Sequence, residues 1–213
     1  RQGKRRLTLV RMTPDVVYDQ LIGMGCAEKL VFSWGGNPGV GSLHRLRDAV
    51  EHDWPAPLEL EEHSHAGMAA GYAAGASNFP FGLVRGYEGT DLAERTNVGW
   101  VTCPFTGERL AAVPAIRPDV GVIHAQQADA RGNVQLWGIS GVQKEAVLGA
   151  KRSIVTVEEI VEELEQKPGS TQLPAWTVTA VCECPGGPPP SYSHRYYDRD
   201  NAFYVSWDGI SRD

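Results

Sequence analysis

Two short stretches of this chain bring together residue types that can do chemistry. The first is Gly35-Gly36-Asn37-Pro38-Gly39-Val40-Gly41, between the apolar run Leu30–Ser33 and an amphipathic stretch that opens at Ser42. A strand, a glycine turn and a helix start aim backbone N–H groups at one point, where an anion or a developing oxyanion is stabilised. Counting G-x-G-x-x-G from Gly39 and Gly41 reaches His44 where a dinucleotide fingerprint needs glycine, and no Gly-Lys-Ser/Thr follows for a P-loop. The same composition suits a tight turn that uses glycine for positive φ, and both readings stay open here.

The second stretch is Glu61-Glu62-His63-Ser64-His65 at the end of a third strand, Leu58–Glu62. If the chain stays extended, the two imidazoles share a face about 7 Å apart. A metal would need a third ligand, and Glu61 is the one candidate nearby on that face. Ordinary hydrogen bonding by strand-end histidines is the competing reading, and no metal is expected. Other candidates are weaker. Cys182-Glu183-Cys184 has no second pair to complete a metal site, and Cys26 and Cys103 lie far off in sequence, so a reducing cytoplasm is expected. Glu158, Glu159, Glu162, Glu163 and Glu165 read as the solvated face of one helix. No G-x-S-x-G elbow occurs and no cysteine has an activating context, so no complete catalytic set is visible.

The elements around these residues follow an α/β rhythm, expected as one domain with a mainly parallel open sheet and helices on both faces. Leu7–Val10 reads as a strand, and Thr13-Pro14-Asp15 as the start of a helix with a capping hydroxyl, running to about Met24. Ser42 to Glu51 is a helix with Leu43, Leu46, Ala49 and Val50 on one face. The small residues of Gly67–Ala76 predict a helix packed very close to a neighbouring backbone. Val120–His124 is a buried strand, Val134–Trp137 its hairpin partner after Arg131-Gly132-Asn133, and Val142–Ala150 a helix. Ser153–Val157 is a strand, continued by an acidic helix over Val157–Glu165. From about residue 185, P-G-G-P-P-P opens an irregular carboxyl-terminal segment.

Composition sets outer limits. The chain has 213 residues, 42% hydrophobic and 22% charged, ordinary for a soluble globular domain. No apolar run is long enough to cross a bilayer. A net charge of −6 argues against nucleic acid as a partner. The one basic cluster, Arg1, Lys4, Arg5 and Arg6, reads as the last turn of a helix.

The stretch from Pro118 through His124-Ala125-Gln126-Gln127-Ala128-Asp129-Ala130-Arg131-Gly132-Asn133 to Gln135 resembles the family I CoA-transferases, in which a strand reaches an "AD–x–x–GN" turn. Its continuation to Val161, the turn Ser33–Gly41 and Glu61–His65 are similar to the α subunits of that family, glutaconate CoA-transferase among them. The family's opening Asp-Gly and Gly-Gly-Phe signature is absent, and its strand is expected upstream of Arg1. The catalytic half of these enzymes carries Ser-Glu-Asn-Gly after the third strand. This chain has Ser64-His65-Ala66-Gly67 there, with His65 in the nucleophile's place.

The resemblance implies a division of labour: no catalytic residue in this chain, and a β subunit that supplies a glutamate to attack an acyl-CoA thioester. CoA then passes to a carboxylic acid, with CoA as substrate and no cofactor. The residues implied at the acid pocket are Gly36, Asn37, Gly39 and Gly41 through their backbone N–H groups, Ser64 and His65 facing the acyl group, and Arg85 pairing a carboxylate. A surface ion pair is the competing reading for Arg85. Alternatives are a subunit of an acyl-CoA or ring-opening hydrolase of the same superfamily, and a small-metabolite sensor.

Overall fold

The computed structural model describes residues 3–37, 39 and 41–213. Arg1 of the basic cluster, and Pro38 and Val40 of the glycine turn, lie outside the described residues. The chain begins β1 (Leu7–Val10), α1 (Val16–Gly23), β2 (Ala27–Phe32), α2 (His44–Glu51), β3 (Glu59–Glu62) and α3 (His65–Ala76). Then come β4 (Phe81–Val84), α4 (Leu92–Arg95), β5 (Gly99–Thr102), β6 (Arg109–Pro114), β7 (Val120–Asp129) and β8 (Val134–Leu136). The remainder is α5 (Gln143–Gly149), β9 (Arg152–Val161), β10 (Thr171–Leu173), β11 (Ala180–Glu183) and α6 (Asn201–Ile210).

Contacts group the chain into two compact units. One comprises Arg1–Ala69, Leu83–Val113 and Asn201–Asp213; the other comprises Ala70–Gly82 and Pro114–Asp200. In the first unit β1, β2 and β3 form a parallel sheet in that order. Leu30 and Phe32 of β2 pack with Ile22 of α1 and Ala49 of α2. Each βα crossover returns the chain in the same direction, so the carboxyl ends of all three strands share one edge. A second sheet, β4-β6-β5, packs Ala111 and Val113 against fully buried Tyr87.

The second unit holds a mixed sheet in the order β10-β8-β7-β9-β11, with β7, β9 and β11 parallel. The expected hairpin after β7 is present. Asp129 Oδ1 accepts the N–H groups of Arg131 and Asn133 at 3.0 and 2.9 Å, and Gly132 takes φ +88°. The close approach predicted for the small-residue helix is also present. Gly71 lies against Pro114 and Ile116, and a Cβ on Gly75 would overlap the Ile116 carbonyl.

The α/β class stands, with the strands divided among three sheets. Other local expectations are corrected. Residues 4–6 are not helical: Arg6 takes φ +58° and pairs Glu28 at 2.9 Å. Helix α1 starts at Val16 with Asp15 as N-cap and no side-chain cap, so Thr13 caps nothing there. Helix α2 starts at His44 rather than Ser42, with Leu43 as N-cap at non-helical φ −90° and ψ 89°. The acidic helix over Val157–Glu165 is a strand as far as Val161. Its edge pairs with β7 from Arg152 to Val161, and a continuous ladder outweighs the modest helix preference of glutamate. The irregular tail from residue 185 contains α6.

Candidate functional site

The shared edge of β1, β2 and β3 positions the candidate residues. Just past β1, the Met12 carbonyl accepts the Ser33 N–H at 3.0 Å, the Ser33 hydroxyl at 2.7 Å and the Trp34 N–H at 3.1 Å. The Pro14 carbonyl accepts the Gly36 N–H at 3.2 Å. These bonds bend the chain away from β2 and begin the glycine turn. The Gly36 N–H is therefore spent on structure. Among the described residues, no hydrogen bond is formed by the N–H groups of Asn37, Gly39 and Gly41.

Beside the turn lies an open cavity of about 570 Å³, lined by Thr13, Trp34, Asn37, Gly39, Leu43 and Leu46 among others. Asn37 is 3% exposed, and both atoms of its carboxamide are buried without a partner. Leaving such a group unsatisfied costs roughly 1–3 kcal/mol, a penalty that a ligand or a further chain can remove. Gly39 and Gly41 take φ +78° and +71°, the left-handed region that glycine enters without strain.

At the end of β3 the chain does not remain extended. Ser64 caps α3: its hydroxyl accepts the Gly67 N–H at 3.0 Å and its carbonyl the Met68 N–H at 2.9 Å. This turn separates the two histidines. His63 is buried, with Nε2 on Glu61 Oε1 at 2.9 Å and Nδ1 on the Tyr87 hydroxyl at 3.1 Å, whereas His65 is exposed on the first turn of α3. The shared-ligand arrangement is thus corrected, and among the described residues no cluster of three His, Cys, Asp or Glu is placed to hold a metal.

The His63 contacts belong to a continuous chain of bonds. Lys29 Nζ holds Glu61 Oε2 at 2.7 Å, and the Tyr87 hydroxyl accepts the Ser64 N–H at 3.1 Å. The hydrogen bond from His63, reinforced by Lys29, lowers the Glu61 carboxyl to about 2 against the cost of burial. With Glu61 ionised, His63 donates to it from Nε2. The network fixes the β3–α3 junction and leaves His65 available.

Arg85 lies at the end of the short strand β4. Its guanidinium forms a two-pronged pair with Glu108 at 2.7 and 3.0 Å and is 77% exposed, so its fork is occupied. The carboxylates read as a solvated helix face also differ. Glu158 is buried, accepting His124 Nε2 and the Gly186 N–H, each at 2.8 Å, and the Tyr197 hydroxyl. Sequence reading missed Tyr87, Asp19 and Asp208 as supports of the site. Tyr87 lies two residues after Arg85, but nothing local marks the two aspartates.

A family model described as Coenzyme A transferase matches residues 19–183. The A subunit of the 3-oxoadipate CoA-transferase of Pseudomonas knackmussii is 65% identical over 214 residues, covering 100% of this chain and 76% of that protein. The A subunit of the glutaconate CoA-transferase of Acidaminococcus fermentans is 31% identical, covering 100% and 72%. The crystal structure of glutaconate CoA-transferase from that organism superposes with a TM-score of 0.91 at 30% identity, covering 100% of this chain and 72% of its own. A variant of the decarboxylase AibA/AibB matches with a TM-score of 0.84 at 30% identity, covering 99% and 80%. The chain belongs to the coenzyme A transferase family. Within it, this is a CoA-transferase subunit of the A type, with the α/β fold of that family. No helix among the described residues is long and apolar enough to cross a membrane.

Proposed function

We propose that this chain forms the acid-binding wall of a two-subunit CoA-transferase whose acceptor is a dicarboxylate of the 3-oxoadipate kind. The observation that carries the reading is the edge of β2 and β3. There, a glycine turn with an unsatisfied Asn37 stands on a strand next to a helix start presenting His65, with no glutamate at the nucleophile's position. The 65% identity to the A subunit of a 3-oxoadipate CoA-transferase supports the choice of acid.

In this reading the B subunit's glutamate attacks the acyl-CoA carbonyl and expels CoA thiolate, leaving a mixed anhydride. The thiolate attacks the glutamyl carbonyl, releases the first acid and forms a glutamyl-CoA thioester. The incoming carboxylate repeats the exchange in reverse, so thioester energy is conserved and neither ATP nor a metal is called for. The work of this chain is to hold the acid and exclude water. The N–H groups of Asn37, Gly39 and Gly41 meet the carboxylate, and His65 with the end of α3 shapes the acyl side. An acid carboxylate could reach Arg85 only by displacing Glu108. The setting is a reducing cytoplasm, consistent with four cysteines present as thiols.

The test is reconstitution. The chain alone, given acetyl-CoA and 3-oxoadipate, should show no CoA exchange. With a B-type partner it should exchange, and mass spectrometry should find CoA attached to the partner's glutamate. Turnover by the chain alone, or CoA bound to this chain, would refute the reading.

A further inference from the structure

The glycine turn is held from a distance by the last helix of the chain. Asp208 of α6 places Oδ1 2.9 Å from the Ser42 N–H and 2.9 Å from His44 Nε2, at the start of α2. Its Oδ2 takes Arg212 at 2.7 Å. The preceding residue grips the same helix by another route. Trp207 Nε1 donates to Asp19 Oδ2 at 3.0 Å, and Asp19 Oδ1 accepts the Leu46 N–H at 2.9 Å. Asp19 is fully buried, so neither of these bonds is shared with water.

Two consecutive residues of α6 thus fasten the first turn of α2 at Ser42, His44 and Leu46, directly after the glycine turn. Gly41 records the fit: a Cβ there would lie 2.7 Å from both the Cβ and Oδ1 of Asp208. Gly39, by contrast, has open space around it. The glycine at position 41 therefore serves the docking of α6 as well as backbone conformation.

We propose that Asp208 is a positioning residue for CoA transfer: it fixes Ser42 and His44 so that the glycine turn is preorganised for the acid's carboxylate. This rests on the reading that the turn binds the acid. Preorganised donors bind an anion without first being ordered, so loosening them weakens the acid more than it slows later steps. His44 faces Asp208, while Arg212 and Asp19 are the other charged groups around the pair.

The experiment uses the complex of this chain with its B partner and compares Asp208→Ala, Asp208→Asn, His44→Gln and Gly39→Val. Losing a charge-assisted hydrogen bond predicts that Asp208→Ala raises the KM for the acid by about tenfold. The KM for acyl-CoA and kcat should change less than about twofold by the same argument. Asp208→Asn keeps an acceptor for Ser42 and should recover part of the loss. If Asp208→Ala does not assemble, Asp208→Asn decides. His44→Gln, which can keep a donor to Asp208, should change the acid's KM less than Asp208→Ala. If Gly39→Val raises the acid's KM but both Asp208 variants leave it unchanged, the positioning role is overturned and the acid site stands. If none of the variants moves it, the acid-site reading falls and the proposal falls with it.

Discussion

The hydroxyl of Tyr87 fills the space that a Cβ on Gly67 would need, and from there it meets both His63 Nδ1 and the Ser64 N–H at 3.1 Å. The glycine in the first turn of α3 is thus fixed by a side chain from the turn that follows β4. Tyr87→Phe should remove both bonds, leaving buried His63 Nδ1 only the longer 3.4 Å contact with Thr96 Oγ1, and cost roughly 1–3 kcal/mol. Gly67→Ala should push the ring away and lose the same bonds. Because both changes break one set of contacts, the double variant should be less destabilised than the sum of the singles. Urea unfolding of the four proteins measures this, and strict additivity would show that the hydroxyl does not hold the junction.

Glu61 gives the fold an acid-sensitive point. Its carboxyl titrates at about 2 rather than the ordinary 4.5, chiefly through the hydrogen bond from His63. A depressed carboxylate contributes stability that is full above the unfolded value and fades as pH falls toward the folded one. Glu61→Gln should therefore be less stable than the parent at pH 7, and the gap should close between about pH 4.5 and 2. Unfolding curves at several pH values test it; a gap unchanged at low pH would assign the loss to packing.

The two left-handed glycines should respond differently to valine. At Gly39 the substitution meets no neighbour and costs only backbone strain, roughly 1–2 kcal/mol. At Gly41 it also strikes Asp208. Hydrogen exchange over Asn201–Ile210 should rise in Gly41→Val and stay near the parent in Gly39→Val. Equal protection in both would mean that α6 docks independently of the turn.

His65→Ala probes the exposed residue at the head of α3. If His65 shapes the acyl pocket, the variant complex should form the covalent intermediate in normal yield while its preference among acids changes. Loss of the intermediate from a complex that assembles normally would instead make His65 necessary to the chemistry.

Much of this fold is legible locally because the signals are local. The run Leu30–Ser33 with its glycines, the Asp129–Asn133 turn and the small residues of α3 each carry their own geometry, and each is found where its residue types imply. Glu158 shows the opposite case. By composition Val157–Glu165 suits a helix, yet residues up to Val161 extend β9, because β7 offers hydrogen-bonding partners along the whole edge. Long-range pairing of this kind leaves no mark on the strand's own residues.

The sequence by itself determined the family, through the ordered match around His124–Gln135. It also placed a glycine turn after β2, where glycine enters the left-handed backbone region without strain. Tertiary structure alone decided what surrounds these residues. It buried His63 and exposed His65, because capping by Ser64 turns the chain between them. It tied Arg85 to Glu108, and it brought Asp208 to Ser42, residues separated by most of the chain. Such pairings depend on where packed elements bring side chains together in space, and spacing along the sequence does not encode that distance.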